Sequence, residues 1–184
     1  METSLIPAKT NWLLDQAHSE IGFKIRHLMI SNVNGKFKNF NASIFTSLKD
    51  FTTANIDLWI DASSINTGDE TRDQHLRTID FLDVEHHKQI LFKSNSIGPA
   101  DKDGIHQLSG ELTIRGITKT VNLNVDFGGI VKDPWGNEKA GFTVSGKINR
   151  KDWGLIWNTP LETGGILVSD DVAISCEVEI TNAG

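Results

Sequence analysis

The sequence predicts an all-β chain, an eight-stranded antiparallel barrel with one short helical insert. Three observations carry this expectation. Apolar and polar residues alternate with period two in eight segments at hairpin-like spacing. Most of those segments keep one polar face, which argues against a sheet covered by helices on both sides. One stretch, RDQHLRTIDFLD (Arg72 to Asp83), drops the alternation for a helical spacing. Eight antiparallel strands can close into a barrel and so remove their exposed edges. A barrel of that size is filled by side chains or holds one small ligand. A two-sheet sandwich is the alternative.

The segments run as follows. In SEIGFKIRHL, Ile21, Phe23, Ile25 and His27 share a face, and Glu20, Lys24 and Arg26 take the other. GKFKNFNASIF follows, after a turn expected at Asn34-Gly35. Phe37 and Phe40 have opposite parity, which places a bulge between them. ANIDLWIDA aligns Ala54, Ile56, Leu58, Ile60 and Ala62, with Trp59 on the polar face and so expected to be covered by the insert. Beyond the insert come QILFKSNSI, with Phe92, and IHQLSGELTIR, with Leu108, Leu112 and Ile114 in phase. KTVNLNVDF aligns Val121, Leu123, Val125 and Phe127. The DPWGN stretch from Asp133 is a turn in which proline fixes the first bend. KAGFTVSGKINR carries Phe142, Val144 and Ile148 on one face, and Arg150 continues it. The last segment, DVAISCEVEI, puts Cys176 among Ile174 and Val178 as a small core residue.

The insert is expected to be helical from Asp69 to Asp83, capped by Asp69 or Thr71. Arg72, His75, Leu76, Ile79 and Leu82 then fall on one side. Such a helix closes one end of a barrel, with Leu76, Ile79 and Phe81 or Leu82 turned inward. His75 and Arg77 stand about 200° apart on it. One is expected at the mouth or a neighbouring strand, the other held by Asp73, Asp80 or Asp83.

The 184 residues suffice for one domain spanning 1–184. The net charge of −6 argues against nucleic acid and gives no support to anionic membrane surfaces. Cys176, the single cysteine, excludes an intramolecular disulfide. METSLIPAKTNW holds no apolar core of signal-peptide length, and no stretch approaches a membrane span, so the expectation is a cytoplasmic protein without stable membrane insertion.

Catalytic and metal motifs are sparse. There is no HExxH, paired CxxC, Gly-x-Ser-x-Gly elbow or phosphate-cradling glycine loop, so no metal, cofactor or catalytic residue is assigned. The alternative is a barrel enzyme in which His27, His75 and an aspartate perform acid–base chemistry at the cavity mouth. His27 and Arg150 continue apolar faces. Each sits either at a wetted rim or where it polarises the mouth, because an inward charge is costly unless paired. Trp153 and Trp157 belong either to a loop packed over one barrel end or to an aromatic rim.

Read in order, Trp12, Asp15, His18-Ser19, Phe23, Arg26-His27, Gly35, Phe37, Ser64-Ile65 and Thr67 make a pattern. It continues through Asp73, His75-Leu76-Arg77, Asp80-Phe81, Phe92, Ser94 and the run Leu112 to Gly116. It closes with Thr118, Gly136-Asn137, Gly141-Phe142, Arg150 and Gly154-Leu155. This pattern resembles the YceI-like family of lipocalin-like, polyisoprenoid-binding proteins along nearly the whole chain. The resemblance implies a barrel with a long apolar cavity for a lipid-like chain, and a homodimer. Two departures bear on the cavity mouth. Leu82 stands where the family has a second aromatic, and His87-Lys88 where many members read Tyr-Pro. Many relatives also carry a secretory signal.

The expected function is binding, storage or transport of a long-chain amphiphile of isoprenoid quinone or polyprenyl type, by a protein that is not an enzyme. The expected ligand-facing residues are Phe23, Ile25, His27, Leu58, Ile60, Leu76, Phe81, Phe92, Leu112, Phe142, Arg150 and Trp157.

Overall fold

Alternation along the chain translates directly into strands with one face turned inward. The computed structural model describes residues 6, 8–162 and 164–184. The first half contains β1 (Lys9–Leu14), β2 (Glu20–His27), β3 (Ser31–Phe37), β4 (Phe40–Ser47), β5 (Asp50–Asp61) and the two-residue β6 (Ile65–Asn66). After helix α1 (Glu70–Arg77) come β7 (Gln89–Ile97), β8 (Ile105–Ile114), β9 (Ile117–Lys132), β10 (Glu138–Asn149) and β11 (Val168–Asn182). Eight of these strands form a closed antiparallel ring in the order β1-β4-β5-β7-β8-β9-β10-β11, with β1 returning to β11. The buried faces meet inside the ring, from Ile60 on β5 through Phe92, Leu112 and Leu123.

Closure is made by few residues. β11 offers one edge to two strands. Its Val168–Glu177 stretch pairs with β2, and only Asn182, Thr181 and Ile180 pair with Trp12, Leu13 and Leu14 of β1. β2, β3 and β6 therefore branch from the ring as an extension of its wall. The seam is held by side chains as well. Trp12 is fully buried in a cluster with Ala140 of β10 and Ile180 of β11, while its Nε1 donates to Thr46 Oγ1 of β4 at 2.9 Å. Just past β1, Asp15 accepts from the backbone N–H groups of Ala17 and His18. Lys139 Nζ of β10 donates to Asp15 Oδ2 at 2.8 Å and to Glu179 Oε1 of β11 at 3.0 Å. Asp15, His18 and Glu179 thus converge on one point, and the ammonium of Lys139 supplies the cation there.

Four expectations need correction. Asn34-Gly35 is not a turn but lies inside β3, paired with Lys24 and Phe23. The hairpin turn falls at Leu28-Met29-Ile30, with Leu28 at φ 53° and Met29 at φ 61°. Gly35 is there for space, since a Cβ would stand 2.2 Å from Phe23 Cζ. Gly110 has the same relation to Phe92, whose Cζ would be 2.3 Å away. Phe37 and Phe40 are not joined by a bulge. They end one strand and begin another, and β3 and β4 have different partners. Trp59 is not covered by the insert, remaining 36% exposed beside Leu91 of β7. Strand β1 was not anticipated from the sequence, because KTNWLL carries only a brief alternation.

The seam makes stability pH-dependent in a defined direction. The bond from Lys139 is the main cause holding the Asp15 carboxyl at about 2, below its ordinary 3.8. A depressed carboxylate contributes stability above its unfolded pKa and loses it as pH falls through the folded value. The Asp15→Asn variant should melt below wild type at neutral pH, and the gap should close as pH falls from about 4 to about 2. Thermal unfolding across that acid range checks it, and a pH-independent gap would contradict it.

Candidate ligand-binding site

The inward faces do not fill the barrel. They enclose a cavity of about 810 Å³, in the upper part of the roughly 300–1,000 Å³ range of ligand pockets. All twelve residues expected to face a ligand line it: Phe23, Ile25, His27, Leu58, Ile60, Leu76, Phe81, Phe92, Leu112, Phe142, Arg150 and Trp157. Strand parity turned nine of them inward, Leu76 and Phe81 come from the insert, and Trp157 comes from the segment after Arg150. The glycines described above help keep the cavity open. With Gly35 and Gly110 behind them, the Phe23 and Phe92 rings lie against the neighbouring strand.

Polarity along the lumen is one-sided. The apolar majority comes from the barrel strands. The polar lining groups come from Arg26 and His27, from Thr67, Asp69, Thr71, Arg72 and His75, and from Arg150. These belong to one region. His27 pairs with Val168, whose carbonyl accepts from Arg150. Another Arg150 donor reaches the carbonyl of Trp157, and the Trp157 ring stands edge-on to His75 at 4.8 Å. Arg26, Asp69, Thr71 and Arg72 are also solvent-exposed. The lumen opens at this end. Sequence periodicity missed Arg26, Thr67, Thr71 and Leu167 as lining residues. Arg26 lies on the polar face of its strand, and the others lie outside any alternating segment.

Local chemistry sets the shape of this end. Asp69 caps α1 by accepting from the Arg72 N–H at 3.0 Å. Asp73 is almost fully buried and accepts from the N–H and hydroxyl of Thr67 at 2.9 and 2.6 Å. That anchors the helix to the segment following β6. The helix is shorter than expected, because the Thr78 hydroxyl bonds the His75 carbonyl and the chain turns away after Arg77. Ile79 is consequently 68% exposed rather than inward, whereas Phe81 and Leu82 are buried. His75 Nε2 pairs with Asp80 Oδ2 at 2.8 Å. Arg77 points the other way, to the carbonyls of Ser63 and Ile65 and to Glu70. Asp83 pairs with His86.

Arg150 is not a wetted rim residue. It is 2% exposed, and its guanidinium donates to the carbonyls of Ser169, Leu155, Trp157 and Val168. The nearest carboxylate oxygen, Asp170 Oδ1, is 3.9 Å away. Burial lowers the pKa of the guanidinium, with Asp170 opposing. The side chain clasps the segment from Leu155 to Ser169 over the barrel end. Trp153 and Trp157 divide the two roles foreseen for them. Trp153 is buried, with Nε1 on the Leu112 carbonyl, and Trp157 packs against Phe81 at the lumen. Cys176 also lines the lumen, and burial pushes its thiol up to about 11, so it is protonated at neutral pH.

A family model described as the YceI-like domain matches residues 12–180. The chain belongs to the YceI-like family. A UPF0312 protein of Staphylococcus aureus strain N315 is 37% identical over 173 residues, covering 94% of this chain and 98% of the relative. The YCEI protein of Campylobacter jejuni is 35% identical, with a TM-score of 0.75 over 92% of this chain and 96% of its own. Burkholderia cenocepacia BcnA, 22% identical, has a TM-score of 0.77 over 90% of this chain and 98% of its own. A polyisoprenoid binding domain from Saccharophagus degradans, implicated in plant cell wall breakdown, is 14% identical. Its TM-score is 0.64, over 93% of this chain and 98% of that one. These last two likenesses concern the lipocalin-like YceI fold alone.

The clasp gives a stability test. Lysine keeps the charge but lacks the planar fork that reaches several carbonyls at once. Each buried carbonyl left without a partner costs about 1–3 kcal/mol. Arg150→Lys should therefore lower the unfolding free energy by about 2 kcal/mol or more. Urea unfolding measures it, and an unchanged midpoint would show that the clasp is dispensable.

Proposed function

We propose that this protein binds, stores or carries an amphiphile with a long apolar chain, of isoprenoid quinone or polyprenyl type. The carrying observation is the lumen: an apolar cavity of about 810 Å³ with its polar groups gathered at one open end. An amphiphile fits that polarity, with its chain inside and its head at the end lined by His27, Arg72 and His75. Each methylene moved from water into the lumen contributes roughly 0.8 kcal/mol, so a chain is held without a strong polar anchor. Such contact discriminates chain length poorly, and several chain lengths should be accepted. Family membership and the polyisoprenoid binding of the Saccharophagus degradans domain support the ligand class. Arg150 contributes through the clasp rather than through a head group, since its donors are taken by carbonyls. The reading is of a carrier and not an enzyme. It includes a homodimer, for which the exposed Ile79 beside α1 offers apolar surface.

Organic extraction of the purified protein followed by mass spectrometry tests the ligand class. An amphiphile with an isoprenoid chain should be recovered, or taken up when added. No recovered lipid and no uptake would sink the reading. A plugged variant sharpens the test. Val144 lines the lumen and is half-buried, so Val144→Phe should fill space there. It should retain far less lipid, with a melting temperature equal to wild type or higher.

The acid–base alternative rests on one pair, His75 with Asp80, at the open end. His75→Ala tests the place of this residue in the carrier reading. A gating or head-contacting role predicts faster loss of bound lipid with little change in thermal stability. Unchanged lipid release would remove His75 from the site.

A further inference from the structure

The hairpin turn of β2 and β3 has the wrong residues for its backbone. Leu28 and Met29 both hold positive φ, at 53° and 61°, and the Ile30 N–H donates to the His27 carbonyl at 3.2 Å. Two consecutive left-handed residues are the setting in which hairpins use Asn-Gly or Gly-Gly. Here the positions carry two large apolar side chains, followed by a third. Leu28 is 37% exposed, Met29 56% and Ile30 79%. The tip thus has both backbone strain and unfavourable hydration, and neither is needed to connect the strands.

The stem beneath the tip has unusual charge. The chain contains 24 carboxylates, yet none occurs between Glu20 and Asp50. Strands β2 and β3 carry Lys24, Arg26 and Lys36. Glu20 lies 3.7 Å from Lys36, at the end away from the tip, which leaves Lys24 and Arg26 nearest the apolar residues. The adjoining carboxylates of β11 have cations of their own. Asp170 lies 3.2 Å from Lys151, and Asp171 lies 3.5 Å from Lys147. An acidic protein therefore presents one basic hairpin with an apolar tip.

That hairpin stands at the open end of the lumen. Arg26 and His27 line the cavity, and Arg26 Nε donates to the Met29 carbonyl at 3.1 Å. The Leu28 N–H donates to the carbonyl of Leu167, another lining residue, at 2.9 Å.

We propose that the β2–β3 hairpin docks the protein reversibly on an anionic phospholipid bilayer. Leu28, Met29 and Ile30 enter the interface, and Lys24 and Arg26 face the head groups, with the open end of the lumen toward the membrane. An apolar edge under a basic stem is the pattern that holds peripheral elements in the interfacial plane. A second copy of this chain is a poorer occupant, because a symmetric tip-to-tip contact would bring like charges together.

Vesicle flotation tests this with liposomes that contain no isoprenoid, so the result is independent of what the lumen holds. Lipid content by extraction, measured on the same proteins, reports on the carrier reading separately. Wild type should float with vesicles of phosphatidylglycerol and phosphatidylcholine, and only weakly with phosphatidylcholine alone. The double variant Leu28→Asn, Met29→Gly suits the left-handed turn, so its melting temperature should hold or rise. Its vesicle binding should fall about tenfold or more. Ile30→Ser, which leaves the turn untouched, should also weaken binding. Lys24→Gln should weaken it about fivefold on anionic vesicles and not on neutral ones. Wild type that fails to float, or tip variants that float like wild type, would overturn the proposal. Failure to float together with a tip-dependent dimer in light scattering would overturn it in favour of a contact between copies.

Discussion

The structure depends on how one strand edge is shared. β11 gives most of one edge to β2 and keeps three residues for β1. The three-residue share closes the ring, and the longer share adds the β2–β3–β6 flap that widens the wall. A ring closed by so short a ladder needs help from side chains. The buried Trp12 side chain, packed with Ala140 and Ile180, and the Asp15–Lys139–Glu179 bridge supply it, tying β1, β10 and β11 together. Were β1 to take the whole edge, the hairpin of β2 and β3 would have no sheet to join. The open end of the lumen would then lose Phe23, Ile25 and His27.

The two ends of the barrel are built on different principles. One carries regular strand pairing and a cluster of packed aromatics, Phe51, Phe127 and Phe142. The other is assembled from irregular pieces: α1, the segment clasped by Arg150, and the β2–β3 tip. The first two are each fixed by one buried polar group answering backbone donors or acceptors, and the tip by the Leu28 N–H on the Leu167 carbonyl. Asp73 holds α1, and Arg150 holds the clasped segment. Irregular backbone is stable only when its polar groups find partners. The open end can therefore be wet and shaped without coming loose.

Much of the barrel was legible because side-chain parity is a local property. Ile56, Leu58 and Ile60 alternate whatever their partners are, and so do Val121, Leu123 and Val125. Nine of the twelve lumen residues followed from the same parity, Leu76 and Phe81 from the reading of the insert as a lid, and Trp157 from the reading of an aromatic rim. What stayed hidden depends on neighbours distant in sequence. Asn34-Gly35 reads as a turn by local rules, but Gly35 answers the ring of Phe23 across the hairpin. Nothing local marks Leu28-Met29 as a left-handed pair. Parity turned Arg150 inward correctly, yet its partners belong to a segment with no periodicity. The helix ended early because Thr78 competes for the His75 carbonyl, and this exposed Ile79. Nor does periodicity distinguish a lumen that is filled from one that is open.

The glycines behind Phe23 and Phe92 carry a consequence for how such barrels diverge. Lumen calibre is usually ascribed to the residues that line it. Here it is also set one layer behind them, by whether the facing strand position carries a Cβ. A methyl at Gly35 would overlap the seated Phe23 ring and tip it toward the lumen. The bore would narrow while every lining residue stayed the same. Two relatives with identical linings can thus accept chains of different thickness, and the determinant would be invisible in a comparison of contact residues.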